Sequence, residues 1–358
     1  MASTNFALTK SRKGFELQFN WLFVIIGGAI LLGFFFMLIT RMTSNSEEEI
    51  GLSSQQDIDS LFRANQAASE TQKFIRFDKK ISFFCSSLGN DFISEYYVGA
   101  SKASTSYNYR VIFAPSFLNS QEIILKSSPF KAPFNVMPFI YLTNKHTEFV
   151  FVSQDANNPL FSQLASLLPM NSTINKAASI SSYKNTNYDY TVFVLNFSDK
   201  DLLDSKLVNF DKPIDIGRVY AVLLDPAGGI ADSYGDIAFY EYEPGSGFDE
   251  LGTAGFMGSE LLTGAVVSHD YKLYSCESRK ALLRLNFTLE LHKKKLEQYS
   301  LSVPSCASSY DRMMQEMNGI QAAIGEEKPA FDQAYPLIRD IEMLNEYLVR
   351  STECPSMY

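Results

Sequence analysis

The chain has 358 residues, 46% of them hydrophobic, which excludes general disorder and leaves room for one large folded domain or one and a half. Its net charge is −9, and since Lys10, Arg12 and Lys13 against Glu16 give the N-terminal arm +2, residues 17–358 carry −11. Such a surface is a poor host for phosphate backbones, which need clustered Lys and Arg, so nucleic acid is excluded as a partner.

In chain order, the first feature is Trp21 to Ile39 (WLFVIIGGAILLGFFFMLI), 19 residues without a charge. As a helix rising about 1.5 Å per residue it would extend about 28 Å, close to the hydrocarbon core of a bilayer. The sequence therefore predicts a transmembrane helix over 21–40, with the lipid bilayer as its partner. Lys10, Arg12 and Lys13 precede it, and only Arg41 follows before Glu47, Glu48 and Glu49. This bias puts the arm 1–20 in the cytoplasm and the rest of the chain outside, as a single-pass protein of the cell membrane.

Three fates of the segment stay open. One is an uncleaved signal anchor. Another is a cleaved secretory signal, against which the apolar run is long and ends in Thr40-Arg41-Met42. The third is a leader cut after Gly14, because Lys13-Gly14-Phe15-Glu16 before an apolar helix resembles the class III signals of archaeal pilins. Glu16 sits nearer that cut than a pilin's acidic residue does.

Arg12-Lys13-Gly14-Phe15-Glu16-Leu17-Gln18-Phe19-Asn20-Trp21-Leu22-Phe23 resembles the start of a group of uncharacterised single-span membrane proteins of archaea. Similar stretches follow at Val111-Ile112-Phe113-Ala114-Pro115, at Pro133-Phe134-Asn135-Val136 before Phe139-Ile140-Tyr141-Leu142-Thr143, and at Leu262-Thr263-Gly264-Ala265 leading to Tyr274-Ser275-Cys276. The resemblance reaches to about residue 285. It implies a lineage and an architecture, and brings no activity or functional residues.

Residues 41–73 read as a polar stalk, with Ile58, Leu61 and Phe62 marking a helix over roughly 53–72. From Phe74 the pattern becomes short β-rich runs at 80–84, 109–113, 139–142, 148–152, 190–195, 219–224 and 236–242, separated by Pro, Gly and Asn. Asn158 to Leu168 has helical length, and 203–216 is ambiguous. Val219 to Leu224 is almost continuously apolar, as a strand covered on both faces would be. These elements predict an α/β extracytoplasmic domain over 74–275, a mixed sheet with packed helices.

A C-terminal helical region over 276–358 should pack on it. Glu277 to Ser300 carries one apolar stripe at Leu282, Leu285, Leu289 and Leu296 and a second at Leu283, Phe287 and Leu291, which predicts burial between layers. Lys293, Lys294 and Lys295, beside Glu290 and Glu297, read as its solvated face. Then comes a helical hairpin. Its first helix runs over 309–324 with Ser308 and Asp311 as a capping box, and its second from Pro329 to Arg350, with Pro336 as a candidate kink. The connector Gly325-Glu326-Glu327-Lys328 is short enough to make the two helices antiparallel neighbours.

Cys85, Cys276, Cys306 and Cys354 form no C-x-x-C pair, so metal-ligand spacing is absent and disulfides are the default outside the cytoplasm. Three connectivities are possible. The hairpin brings Cys306 and Cys354 to the same end, which pairs them and leaves Cys85 for Cys276.

Catalytic signals are weak. The histidines His146, His269 and His292 are scattered; Ser259, His269 and Asp270 make a triad only on paper, since Gly255-Phe256-Met257-Gly258-Ser259-Glu260 is not a G-x-S-x-G elbow. Asp225, Asp232 and Asp236 offer oxygen ligands for Ca²⁺ without EF-hand spacing, and a hairpin connection explains them more simply. Gly245-Ser246-Gly247 lacks the Lys-Ser/Thr ending of a phosphate loop. No cofactor is expected.

Of three sequons, those at Asn171 and Asn196 are the expected glycosylation sites, whereas Asn286 lies within the long helix. Among 19 tyrosines, Tyr183, Tyr188, Tyr190, Tyr240 and Tyr242 suit either a recognition surface or β-domain packing. The reading is a membrane-anchored extracytoplasmic structural or binding component of the cell envelope, not an enzyme, that contacts an envelope protein or glycan. Its alternatives are an anchored envelope hydrolase and a pilin-like assembly subunit.

Overall fold

The computed structural model describes residues 24–38, 55–66, 70–77, 79–88, 91–99, 103–118, 122–153, 158–180, 183, 188–203, 218–227, 234–243, 245–326, 328–351 and 354–358. Three sheets form instead of the single one expected. The first has the order β1-β7-β8-β5, with β1 Gln72–Arg76, β7 Glu122–Lys131, β8 Asn135–Asn144 and β5 Val111–Phe113. The second is antiparallel, β4-β3-β2-β6, from Thr105–Ser106, Asp91–Val98, Ile81–Leu88 and Phe117–Leu118.

The third sheet is the α/β part, with the order β10-β9-β11-β12-β13-β14. Its parallel half is β10 Thr173–Ala177, β9 Thr147–Val152, β11 Tyr190–Asn196 and β12 Arg218–Pro226. Antiparallel β13 Tyr234–Glu243 and β14 Gly247–Met257 complete it, leaving β14 at the edge. Val219 to Leu224 is buried throughout, as its unbroken apolar run requires of a strand covered on both faces.

Seven α-helices lie among the described residues: α1 (24–38), α2 (55–66), α3 (Pro159–Leu167), α4 (Gly258–Ser268), α5 (Tyr271–Ser302), α6 (Ala307–Ile324) and α7 (Phe331–Ser351). The largest core joins one side of the third sheet to the first sheet and to α3 through α7, with Phe113, Phe139, Phe239, Leu285 and Met317 among its members. A second core closes the second sheet against the first, and a third covers the other side of the third sheet.

The start of α5 ties these layers together. Asp270 caps it, accepting from Leu273 N at 3.0 Å and bonding Ser116. Cys276 is joined to Cys85 on β2. The Glu277 carboxylate accepts the outer-edge N–H of Ile112 on β5 at 2.9 Å, and Lys280 donates to Ser94 Oγ on β3 at 2.9 Å and to Glu277 at 3.0 Å. This ion pair is buried at both ends. Burial pushes the Glu277 carboxyl up and the Lys280 ammonium down, against an attraction that favours both charged forms.

At the C-terminus, Cys306 is bonded to Cys354, and the Ala330 N–H donates to Ala323 O at 3.0 Å to close the α6–α7 connector. These are the two cysteine pairs at which the hairpin argument arrived. A 3-10 turn, Pro304–Cys306, leads into α6, so Cys306 and not Ser308 occupies the cap position. Lys293 and Lys295 leave the expected solvated face: Lys293 bonds Asn318 and Gln321 of α6, and Lys295 donates to Met357 O.

Several expectations need correction. The transmembrane helix over 21–40 is not found; its described part is α1. Among the described residues no helix is long and apolar enough to cross a membrane. Positions 21–23 and 39–40, and the basic arm 1–20, lie outside the described residues, as does most of the ambiguous segment 203–216.

The stalk helix is also corrected. Instead of standing free, α2 buries Ile58 and Phe62 in the second core, and the Gln55 amide donates to Ala103 O at 2.7 Å. The second stripe of α5 is not sandwiched, since Phe287 is 58% and Leu291 67% exposed. Strands β1, β3, β4, β6, β7, β10 and β14 and helix α4 had no counterpart in the sequence reading.

Removing Lys280 while keeping Glu277 strands a buried carboxylate. Lys280→Met is expected to cost about 3–5 kcal/mol in urea unfolding, and the double change Glu277→Leu/Lys280→Met to recover much of that. Equal losses in the single and double variants would show that the pair does not hold α5 in place.

Candidate binding cleft

The triad of Ser259, His269 and Asp270 does not assemble. Ser259 opens α4 and His269 caps its other end, which separates them by about 15 Å along the helix. His269 holds a left-handed backbone, φ 41°, and is buried with its ring 4.6 Å from that of Tyr220 and 5.3 Å from that of Tyr190. Burial depresses its pKa to about 4. His292 stacks on Phe134 at 4.0 Å, and exposed His146 lies in the turn where β8 of the first sheet becomes β9 of the third. No two histidines share a site.

Asp225 and Asp236 face each other across β12 and β13, both exposed, while Asp232 lies outside the described residues. Among the described residues no group of His, Cys, Asp and Glu is placed to hold a metal ion. Gly245 and Gly247 turn the β13–β14 hairpin with φ of 95° and 97°, the role their missing side chains suit.

Asn171 is exposed in a turn at φ 64°, and Asn196 is half-buried at the end of β11. Asn286 is half-buried, with its side-chain oxygen accepting from Gln321 at 2.6 Å. Tyr190 and Tyr240 are buried, and Tyr183 packs its ring at 5.3 Å from that of Phe193. These tyrosines therefore serve packing around the third sheet.

What the fold does build is a cleft of about 450 Å³ between β14, α5 and the α6–α7 connector. Small residues of β14 create it. A side chain at Gly252 would meet the Tyr271 ring at 2.7 Å, and one at Gly255 would meet the Phe331 ring at 2.5 Å. Three positions apart on a pleated strand, the two glycines point to opposite faces, so Tyr271 of α5 meets β14 on one face and Phe331 of α7 on the other.

The strand edge at Thr253 to Gly255 is left as the floor of the slot between them. The Tyr274 hydroxyl donates to Gly255 O at 3.1 Å and fixes the floor to α5. Ser275, Ser278, Leu282, Leu283 and Asn286 form the α5 wall, and Ile324, Gly325 and Pro329 the other.

Two cations stand on the lips, Arg279 on α5 and Lys328 on the connector, both exposed and neither in an ion pair among the described residues. Glu326 is the carboxylate on the same rim among the described residues, Glu327 lying outside them. The slot can hold a ligand that offers hydrogen bonds along its length and negative charge at its mouth. Nothing in the sequence reading marked it. Its one visible trace was Gly255, which entered the sequence reading only as the start of the failed nucleophile elbow at 255–260.

His269 makes the clearest pH statement. Its folded pKa lies below the unfolded value of about 6.5, so its contribution is full above that value and falls by about 1.4 kcal/mol per pH unit towards pH 4. His269→Asn, which tolerates the left-handed backbone, should shrink the stability difference between pH 6.5 and pH 4.5 in urea titrations. An unchanged difference would show that this ring does not titrate on unfolding. Compared with protein-family models, with curated proteins and with solved structures, the chain matches none of them.

Proposed function

We propose that this chain is an extracytoplasmic binding component of the cell envelope that holds an envelope protein or glycan in the slot between β14, α5 and the α6–α7 connector. The slot carries the reading: it has a backbone floor, two polar-and-apolar walls and, at its mouth, cations that enter no ion pair among the described residues, the mixture that recognition sites use. The two disulfides support an oxidising compartment, because such bonds persist outside the reducing cytosol. Anchored hydrolysis has less support, because Ser259 and His269 stand at opposite ends of α4.

Photo-reactive residues placed singly at Arg279 and Glu326 on the lips, and at exposed Met343 on α7 as a control, test this in intact cells. The lip positions are expected to give a discrete adduct and Met343 none. Adducts of equal yield at all three positions, or at Met343 alone, would remove the slot as the contact. Trapping thiols before lysis should label none of the four cysteines without reductant, and labelled Cys85 or Cys276 would take away the compartment.

A further inference from the structure

Resting on that reading of the slot, we infer that its occupant is a short extended peptide, which adds to the third sheet as a further strand beside β14 and presents an acidic residue to Arg279 and Lys328.

The argument begins with the strand. Among the described residues β14 pairs only with β13, and its outer edge has no strand beyond it. Natural edges are usually blunted by lysine, proline or a covering element. From Gly252 to Phe256 this one carries neither Lys nor Pro. Tyr271 sits against Gly252 on one face and Phe331 against Gly255 on the other, and of the edge itself the Gly255 carbonyl is already taken by the Tyr274 hydroxyl.

A slot with a strand edge for its floor selects backbone before it selects side chains, since an extended peptide alone matches the periodic donors and acceptors of a strand. A sugar or a small anion would leave that ladder partly unpaired.

The length of the occupant is set at both ends. Leu251 is an extra residue, because Phe239 pairs with Gly252 and Tyr240 with Glu250, and this bulge bends the strand away from its first half. At the other end Met257 is buried and α4 begins at Gly258. The acceptor stretch is therefore Gly252 to Phe256, enough for a peptide of about four to six residues.

Charge sets its character. Among the described residues Arg279 and Lys328 face one carboxylate, Glu326, at the mouth of the slot, in a chain whose net charge is −9. A guanidinium and an ammonium at one mouth suit a carboxylate, from an Asp or Glu side chain or from a peptide C-terminus.

The test is selection of a random hexapeptide display library on the full chain, followed by fluorescence anisotropy with the selected peptides. The selected sequences should alternate β-branched or aromatic residues and carry Asp, Glu or a free carboxylate at one end. Binding should weaken more than about ten-fold in Arg279→Glu, a change at an exposed side chain whose folding is checked by its melting curve. Methylating alternate backbone nitrogens of the peptide, which removes ladder donors, should abolish binding.

Selection of nothing, selection of basic peptides, or equal binding of methylated peptides overturns the inference. So does a chain that sediments as a dimer and dissociates on Arg279→Glu, since its own copy then fills the slot. If the lips capture a glycan in cells while the library yields nothing, the binding reading stands and only the peptide falls. If the lips capture nothing, the binding reading itself is lost.

Discussion

Ten residues at the start of α5 decide how the three sheets meet. Between Asp270 and Lys280 the helix is capped, disulfide-linked to β2, bonded through Glu277 to the edge of β5 and through Lys280 to β3, and held by Tyr274 to β14. A buried carboxylate and a buried ammonium are costly to desolvate, and neither is stable in place without the other. Their value here lies in specificity of geometry. An apolar pair would let the helix slide or rotate, whereas Ile112 N–H and Ser94 Oγ admit one register.

The slot inherits its shape from that register. Its α5 wall continues the same helix, with exposed Arg279 next to buried Lys280 and turned about 100° from it, so fixing the lysine also aims the arginine. The other wall has a separate anchor in the α6–α7 hairpin, closed by Cys306–Cys354 and by Lys293 reaching from α5 to Asn318 and Gln321. Two rigid walls on a strand floor form a preorganised site, which costs a ligand less ordering than a mobile one.

How much of this was legible in the sequence depends on the kind of signal. The apolar runs that became β9, β11, β12 and β13 were readable because strands buried on both faces need no alternation, and the helices α5, α6 and α7 because their stripes repeat at helical spacing. The strands β3 and β7 were missed where Ser, Lys, Glu and Pro break the pattern at positions that tertiary contacts satisfy, as Ser94 is by Lys280. The spanning helix was read from hydropathy alone, and among the described residues no helix is long and apolar enough to cross a membrane. The slot was illegible for a deeper reason: its floor is backbone, and its glycines matter through Tyr271 and Phe331, residues that only the fold brings near. Cysteine pairing was the opposite case, because one hairpin of known direction settled it.

The bond between Cys85 and Cys276 spans 191 positions. At about 5–20 residues per second, synthesis of the intervening chain takes roughly 10–40 s. Throughout that interval the second sheet has no α5 to complete its core, and Phe83, Tyr96 and Cys85 wait on an open face. The domain therefore cannot mature from its N-terminus forward. Its early strands are committed only when a helix from the last third of the chain arrives, which makes the nascent protein a client for whatever shields thiols and apolar strands along its route.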